Sequence, residues 1–391
     1  MIKSEQVKYL MNQNFILYGM QASLYTGKAR AYMRRNRIPV TERGAGHPEF
    51  MTRIYPHMQR FIMPVIETPD GDIVQDGTDI LEYFEACGLG REPLFPEDPI
   101  TKAVALLFQL FGNEGLLRPA MHYRWNFDEE NLDFLKVSFR DVLSLEMGVK
   151  GNDTGFEYAS GRMRKAAMAF GVFDTTKALI EQSYAEFLNL YSAHLSKSFF
   201  LLGDQPTIGD YGLFNPLYAH LARDPKPAYL MKTTAPLVWN WVERMNRAEV
   251  TEEHTLDNPQ TGLYGADNIP ETLKALMKYV GEEYAAEFSA HVDYTEQWLA
   301  KQGVNPEKVK APLGRGIGFA EFKWRGKFIS SVVMPYRFYL AQRLWDHVDG
   351  CPENAQKDIR DLFTQTGLEA FLDKRPSRRV LRKDYHEVWG D

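Results

Sequence analysis

Pro64 constrains this chain more than any other single residue. It interrupts Phe61-Ile62-Met63-Pro64-Val65-Ile66-Glu67, a run that otherwise reads as a β-strand. A central strand loses a ladder bond wherever it lacks an amide donor, so this proline belongs at an edge, a bulge or a cis turn. Its neighbours fall into a definite order. Upstream, the unbroken apolar run Phe15-Ile16-Leu17-Tyr18 predicts a strand buried on both faces. The short loop Gly19-Met20-Gln21-Ala22 delivers Ser23 to a helix running to about Arg37. Tyr25, Ala29, Tyr32 and Met33 share one face of it, and Arg34, Arg35 and Arg37 crowd the last turn, where the helix dipole favours them. Ile38 to Glu42 fits a second short strand with Pro39 at its beginning, and Gly44 to Arg60 a loop with one helical turn. Downstream of Pro64, Pro69-Asp70-Gly71-Asp72 is turn chemistry, Ile73-Val74-Gln75 a hairpin partner, and Asp76-Gly77-Thr78-Asp79 a helix start. That helix runs from about Thr78 to Cys87, buries Ile80, Leu81 and Phe84, and stops at Gly88.

The rest of the chain reads differently. Leu89 to Pro99 is linker. From Ile100 to about Arg247 the apolar period is helical, clearest in the stripe Leu179, Ile180, Tyr184, Phe187, Leu188, Tyr191 and Leu195. Gly151 to Gly161 breaks the period and is expected as a loop. In Leu201-Leu202-Gly203-Asp204-Gln205-Pro206-Thr207-Ile208-Gly209-Asp210-Tyr211, Thr207 and Asp210 have the spacing of a capping box, the hydroxyl on the N3 amide and the carboxylate reaching back. Beyond Glu249, helices are expected at 271–287, 289–302, 335–347 and 355–373. Ile317–Lys323 and Lys327–Val333 flank Trp324-Arg325-Gly326, a hairpin turn.

Length and composition exclude several classes. A chain of 391 residues predicts roughly two or three domains, and 44% hydrophobic with 25% charged residues supplies a sizeable core. A net charge of −6 argues against a general nucleic-acid binder. No signal peptide opens the chain, and no stretch approaches the ~18 apolar residues of a membrane span. Cys87 and Cys351 are the only cysteines; they support neither a disulfide framework nor a metal cluster, and fit a reducing, cytoplasmic setting. Gly314-Arg315-Gly316-Ile317-Gly318 lacks dinucleotide-binding spacing, and no phosphate loop, zinc spacing or nucleophile elbow occurs. The basic tail Lys374, Arg375, Arg378, Arg379, Arg382 and Lys383 reads as a solvated helix surface.

The order strand, helix, strand, proline strand, turn, strand, helix resembles the thioredoxin-like domain of the glutathione S-transferase superfamily. Leu201 to Tyr211 is similar to that family's signature for its buried core helix and stands where the family puts it. The resemblance implies an α/β thioredoxin-like N-terminal domain, then an all-α domain, then a mainly α C-terminal extension with a β-hairpin. The expected boundaries are a preface at 1–14, a glutathione-binding domain at 15–89, a linker at 90–99, the helical domain at 100–249 and an extension of unknown role at 250–391. Relatives are usually homodimers, so a homodimer is expected.

The family pattern also assigns candidate residues. Chemistry on glutathione needs its thiol as thiolate, and a free thiol titrates near ~8.5. Ser23 matches the catalytic serine or cysteine of the family in Ser23-Leu24-Tyr25-Thr26, where a hydroxyl donor and a helix N-terminus converge on the sulfur. Serine there equally suits a plain N-cap. With no cysteine at 23 or 26, disulfide-exchange chemistry is disfavoured. Tyr18, at the end of the first strand, is the competing phenol or a core tyrosine. Met63, before Pro64, pairs through its main chain with the cysteinyl backbone of the tripeptide, which implies a cis Met63–Pro64 bond. Asp76, Gly77 and Thr78 stand where relatives hold the glutamyl end with an acid–serine pair. Gly77 lacks the serine, and Ile62 replaces a residue often polar. Arg53, His57 and Arg60 either meet the glycyl carboxylate or form a solvated basic loop.

His122, Tyr123, Arg124 and Trp125, preceded by Asn113, Glu114 and Arg118, stand where relatives bind the electrophile. Arg124 either stabilises a developing anion or pairs with Glu114 in the core, and the aromatics either stack on an aromatic substrate or pack inside. The resemblance therefore implies a glutathione-dependent transferase or lyase attacking a hydrophobic, aromatic electrophile, with no metal. The alternatives are a non-catalytic adaptor that kept the fold, favoured by Gly77 and Ile62, and a glutathione-dependent isomerase.

Overall fold

The computed structural model of the protein describes residues 7, 9–139, 148–249, 259–302 and 311–390. The preface at 1–14 lies in part outside them. In chain order the elements are β1 (Phe15–Tyr18), α1 (Thr26–Arg35), β2 (Val40–Arg43), α2 (Tyr55–Met58), β3 (Val65–Glu67), β4 (Ile73–Gln75), α3 (Gly77–Ala86), α4 (Pro99–Leu110), α5 (Leu117–Trp125), α6 (Asp128–Phe139), α7 (Gly148–Ala169), α8 (Lys177–Leu195), α9 (Ile208–Ala219), α10 (Pro225–Thr234) and α11 (Pro236–Met245). The C-terminal region adds α12 (Glu271–Val280), α13 (Ala286–Gln302), β5 (Gly318–Trp324), β6 (Lys327–Val333), α14 (Pro335–Asp349), α15 (Glu353–Gln365), α16 (Ala370–Asp373), β7 (Val380–Lys383) and β8 (His386–Trp389). The α/β N-terminal part, the helical middle and the mainly helical extension with a hairpin are the architecture the sequence implied. The chain forms two compact units, one of residues 1–94, 120–165 and 211–257, the other of 95–119, 166–210 and 258–391.

The first unit is built on a four-stranded sheet in the order β2-β1-β3-β4. β1 runs parallel to β2 and antiparallel to β3, and β3 pairs antiparallel with β4. Phe15, Leu17, Val65 and Ile66 are fully buried in it. α1 and α3 pack on one another through Tyr32 stacked on Phe84, while Phe15 meets the edge of Phe84. Gly88, at φ +71°, turns the chain out of α3, and the Leu89 amide reaches back to the Phe84 carbonyl.

The strand expected to contain Pro64 in fact begins at Val65, and Pro64 precedes it on a cis peptide bond from Met63. A residue without an amide donor thus stays out of the ladder. The segment 44–60 holds more helix than one turn, a π-helical turn Phe50–Ile54 running into α2. The loop expected at Gly151–Gly161 is instead part of α7. A side chain at Gly161 would meet open space, so that glycine faces outward and costs the helix about 1 kcal/mol without ending it.

In the second unit the stripe along α8 is buried at Ile180, Tyr184, Phe187, Leu188, Tyr191 and Leu195. Asp210, at the start of α9, reaches back to the Thr207 amide at 2.9 Å and also takes the Leu201 amide at 2.8 Å. α12 and α13 form one run joined by a π turn, Gly281–Ala285, so the break expected near 288 is absent. The hairpin β5–β6 closes through Arg325 and Gly326, both at positive φ, as a two-residue turn requires. The helix expected at 355–373 is split at Gly367, which has φ +70°. The basic tail is not helical but enters the hairpin β7–β8. Four of its charges are matched: Lys374 with Asp293, Arg375 with Asp349, Arg379 with Asp346, and Arg382 with Glu387.

Candidate functional site

Apart from Asn113, Glu114 and Arg118, the sequence-derived candidates fall in the first unit, and its sheet topology brings the N-terminal ones to one end. Tyr18 closes β1 opposite Val65, which opens β3 and in turn faces Gln75 at the end of β4. The Ser23 loop, the Met63–Pro64 bond and the Asp76–Thr78 helix start therefore leave the sheet together. One bond ties two of them directly, the Asp76 amide donating to the Pro64 carbonyl at 3.1 Å.

Ser23 is not an N-cap. Tyr25 occupies that place, without a side-chain capping bond, and Ser23 stands two residues earlier. It is half-buried, its amide donates to the Met20 carbonyl at 3.1 Å, and among the described residues its hydroxyl makes no hydrogen bond. Tyr18, by contrast, is fully buried and committed. Its hydroxyl donates to Glu67 at 3.4 Å and accepts from Arg43 at 3.4 Å. Burial pushes the phenol up, Arg43 draws it down, and Glu67 pushes it up again, so the net direction disfavours a phenolate. Glu67 also takes Arg53, and Arg43 also binds Glu49. His57 is exposed and Arg60 half-exposed on the segment that leads to Met63.

Met63 is half-exposed, and among the described residues its main chain makes no hydrogen bond. An extended backbone can therefore pair with it as an added strand. Asp76 caps α3, its carboxylate accepting from the Thr78 amide at 2.6 Å. Its φ of +80° is uncommon for a non-glycine residue, a strain that functional sites often hold. At Gly77 a Cβ would lie 2.6 Å from Lys28 Cε and 2.9 Å from the Tyr25 carbonyl oxygen. Lys28, fully buried on α1, runs across Gly77 and donates its ammonium to Thr78 Oγ1 at 2.6 Å. The serine missing from position 77 is thus replaced in space by a lysine, which sequence reasoning passed over. The only signal was a charged residue among the apolar positions of α1.

The segment 122–125 is spent on packing. His122, Tyr123, Arg124 and Trp125 are all buried. Tyr123 stacks on Phe127, and Trp125 lies between Phe139 and the Arg164 guanidinium. Arg124 pairs with Asp224 rather than Glu114, through Nε at 2.6 Å and Nη2 at 2.9 Å. It also donates to the carbonyls of Ala22 at 2.7 Å and Ala219 at 2.6 Å. Burial raises the Asp224 carboxyl, and Arg124 opposes it. Burial, with Arg124 as the next cause, holds His220 well below its usual range, so His220 is neutral. Among the described residues no group of side chains could hold a metal ion, and no helix is long and apolar enough to cross a membrane.

A sheet of this order, with a cis proline at its end and a helix start beside it, defines a thioredoxin-like domain of the glutathione transferase type. Residues 17–87 match the glutathione S-transferase N-terminal domain, and residues 175–249 the glutathione S-transferase C-terminal domain. The two matches place residues 17–87 and 175–249 of the chain in the glutathione S-transferase superfamily. It is similar to the solved glutathione transferase GSTFuA3 of Phanerochaete chrysosporium, at 14% identity and a TM-score of 0.42, over 61% of this chain and 99% of that one. The β-etherase LigF of Sphingobium sp. strain SYK-6 is 17% identical with a TM-score of 0.41, over 60% and 95%. A glutathione transferase of Ceriporiopsis subvermispora, solved with glutathione, is 16% identical with a TM-score of 0.40, over 61% and 99%. No curated protein matches the sequence.

Proposed function

We propose that the protein is a glutathione-dependent transferase that uses Ser23 to stabilise the thiolate and acts on a hydrophobic, aromatic electrophile. Ser23 carries the reading: its hydroxyl is uncommitted, two residues ahead of the α1 N-cap, at the sheet end where Met63 leaves its main chain unpaired. Glutathione, when bound, supplies the sulfur that displaces a leaving group or adds to the electrophile. Met63 presents its N–H and C=O to the cysteinyl backbone. Asp76 meets the glutamyl amine, and the α3 N-terminus with Thr78 and Lys28 favours the glutamyl carboxylate. Arg60 and His57 reach the glycyl end. Tyr18 keeps the sheet end folded and holds no proton of the reaction.

A hydroxyl donating to an anion contributes about 1.5–3 kcal/mol, and a helix end about 0.3–1 kcal/mol. At about 1.4 kcal/mol per pH unit, together they bring a thiol from about 8.5 to about 6–7. Ultraviolet titration of the bound thiolate tests this. Ser23→Ala should return it towards the free value and Tyr18→Phe should leave it in place; the opposite pattern would reassign the role to Tyr18. Gly77 favours a rival, an adaptor that kept the fold without the ligand. Calorimetry with glutathione decides between them, since absence of heat at millimolar ligand is the adaptor's result. A homodimer belongs to the same proposal. Met51 and Tyr55, exposed four residues apart on one helical stretch, supply apolar surface for it, and sedimentation reads the mass.

A further inference from the structure

The loop between β1 and α1 has three backbone tethers, and two of them grip one peptide plane. The Gly19 amide donates to the Arg43 carbonyl at 2.9 Å. The plane joining Ala22 to Ser23 is then held at both polar ends: its N–H by the Met20 carbonyl at 3.1 Å, its C=O by Arg124 Nη1 at 2.7 Å. Holding that plane fixes the N–Cα axis of Ser23 and leaves only its φ between the plane and the direction in which its Cβ projects. The donor that fixes the oxygen is itself enclosed and bonded on every arm. Arg124 is 2% exposed, its partner Asp224 is fully buried, and the pair is a bidentate fork that also spans the Ala219 carbonyl.

We propose that Arg124, braced by Asp224, is the positioning residue for Ser23. It does not touch glutathione or the electrophile; it fixes the peptide from which the Ser23 hydroxyl projects. The inference rests on the proposed role of Ser23 and adds to it the residues that make that hydroxyl's position reproducible. Lysine cannot reproduce the fork, because one ammonium cannot span both carboxylate oxygens and two separate carbonyls. In Arg124→Lys the bound thiol should titrate closer to its free value, so that the thiolate fraction at neutral pH falls about three- to tenfold. Glutathione affinity at about pH 5, where the ligand binds as the thiol, should stay within about twofold, since Met63 and the α3 start are untouched; at neutral pH it should fall together with the thiolate fraction, as linkage requires. Asp224→Asn removes one acceptor of the fork and should shift the titration in the same direction.

Three readouts decide. A folded Arg124→Lys protein that titrates like the wild type, while Ser23→Ala shifts, overturns the inference and leaves the proposed function standing. A wild-type titration that Ser23→Ala does not move removes the proposed function and the inference with it. Hydrogen exchange on the unmodified protein needs no variant: the Ser23 amide should be protected relative to the Gln21 amide in the same loop. Equal exchange of the two means the plane is not held, and the proposal fails even where the variants do not fold.

Discussion

Restoring the family's serine at position 77 should harm this protein. A Cβ there lies 2.6 Å from Lys28 Cε, 3.2 Å from Lys28 Cγ and 2.9 Å from the Tyr25 carbonyl oxygen. Side-chain movement relieves the first two contacts only at a price, because Lys28 is fully buried and its ammonium is bonded to Thr78. The third is backbone, one residue ahead of α1, and cannot swing away. Overpacking of this kind costs about 1–3 kcal/mol. At about 2 kcal/mol, Gly77→Ser should lower the melting temperature of the first unit by about 4–8 °C. Glutathione affinity should fall or stay level, although a hydroxyl has been added. Cutting the lysine back separates the two sources of strain. In a Lys28→Ala background the same serine should cost less by about 1 kcal/mol or more, since only the Tyr25 contact remains. Thermal unfolding of the four proteins in the cycle gives that coupling directly. A Gly77→Ser protein that melts where the wild type does, or strictly additive effects in the double variant, would refute the account of why glycine stands there.

Further outcomes follow from the second unit. Burial, reinforced by Arg337, keeps His291 neutral down to about pH 3, and burial keeps His194 neutral down to about 4. Each binds a proton only in the unfolded chain between those values and about 6.5, so stability should fall with acid across that window by up to about 1.4 kcal/mol per pH unit for each histidine. Urea midpoints against pH should show the decline, and a flat profile would contradict it. Burial pushes the Glu287 carboxyl up, but Arg118 and Arg337 outweigh it and hold it at about 2. Its contribution is present above about pH 4.3 and is lost as pH falls towards 2. Arg337→Met leaves Glu114 and Glu287 without a shared buried partner and should cost about 3–5 kcal/mol in denaturant unfolding, against under 1 for a pair that mattered little. Gly326→Ala meets no atom within 4 Å but must adopt φ +85°, so backbone alone should cost about 1 kcal/mol; an unchanged midpoint would argue against the left-handed turn.

Local chemistry made much of the fold legible. The order of strands and helices around Pro64, the α8 stripe and the Arg325–Gly326 turn are each written in a few neighbouring residues. Gly161 shows the limit of that reading, since a glycine on an outward face does not end a helix whose other face is buried. The segments that share a unit are joined by contacts far apart in sequence, and no local period spells them. The site was legible in type more than in commitment. Arg124 looked like a cation awaiting an anion, and its partner stands a hundred positions away at Asp224. Tyr18 and Ser23 both offer a hydroxyl to the same sheet end, and only the Glu67 and Arg43 bonds to one of them distinguish the two.

The same distinction decides a constellation in the extension that has the residue types of a hydrolase. Ser331 Oγ lies 2.8 Å from His291 Nε2, and Glu287 lies 2.7 Å from the same oxygen. A serine nucleophile needs the histidine to accept its proton. Here the other ring nitrogen, Nδ1, faces Arg337 Nη1 at 2.7 Å, and a guanidinium has only hydrogens to give. Nδ1 is therefore the acceptor, and the proton of the neutral ring sits on Nε2. His291 must donate to Ser331, whose own hydrogen then goes to Glu287, which also receives Arg118 at 2.6 Å and Arg337 at 2.7 Å. From the histidine onward the donors of this relay run outward, Nε2 to Ser331 and Ser331 to Glu287, while Arg337 donates into Nδ1, and all the members are buried. Its direction makes it a brace for the extension's core. Substituting Ser331→Ala should therefore cost stability by about 1–3 kcal/mol, through the His291 N–H left unsatisfied and one donor lost to Glu287, and leave any esterase background of the protein where it was. A measurable esterase rate that disappears with Ser331→Ala in a folded protein would reverse the assignment.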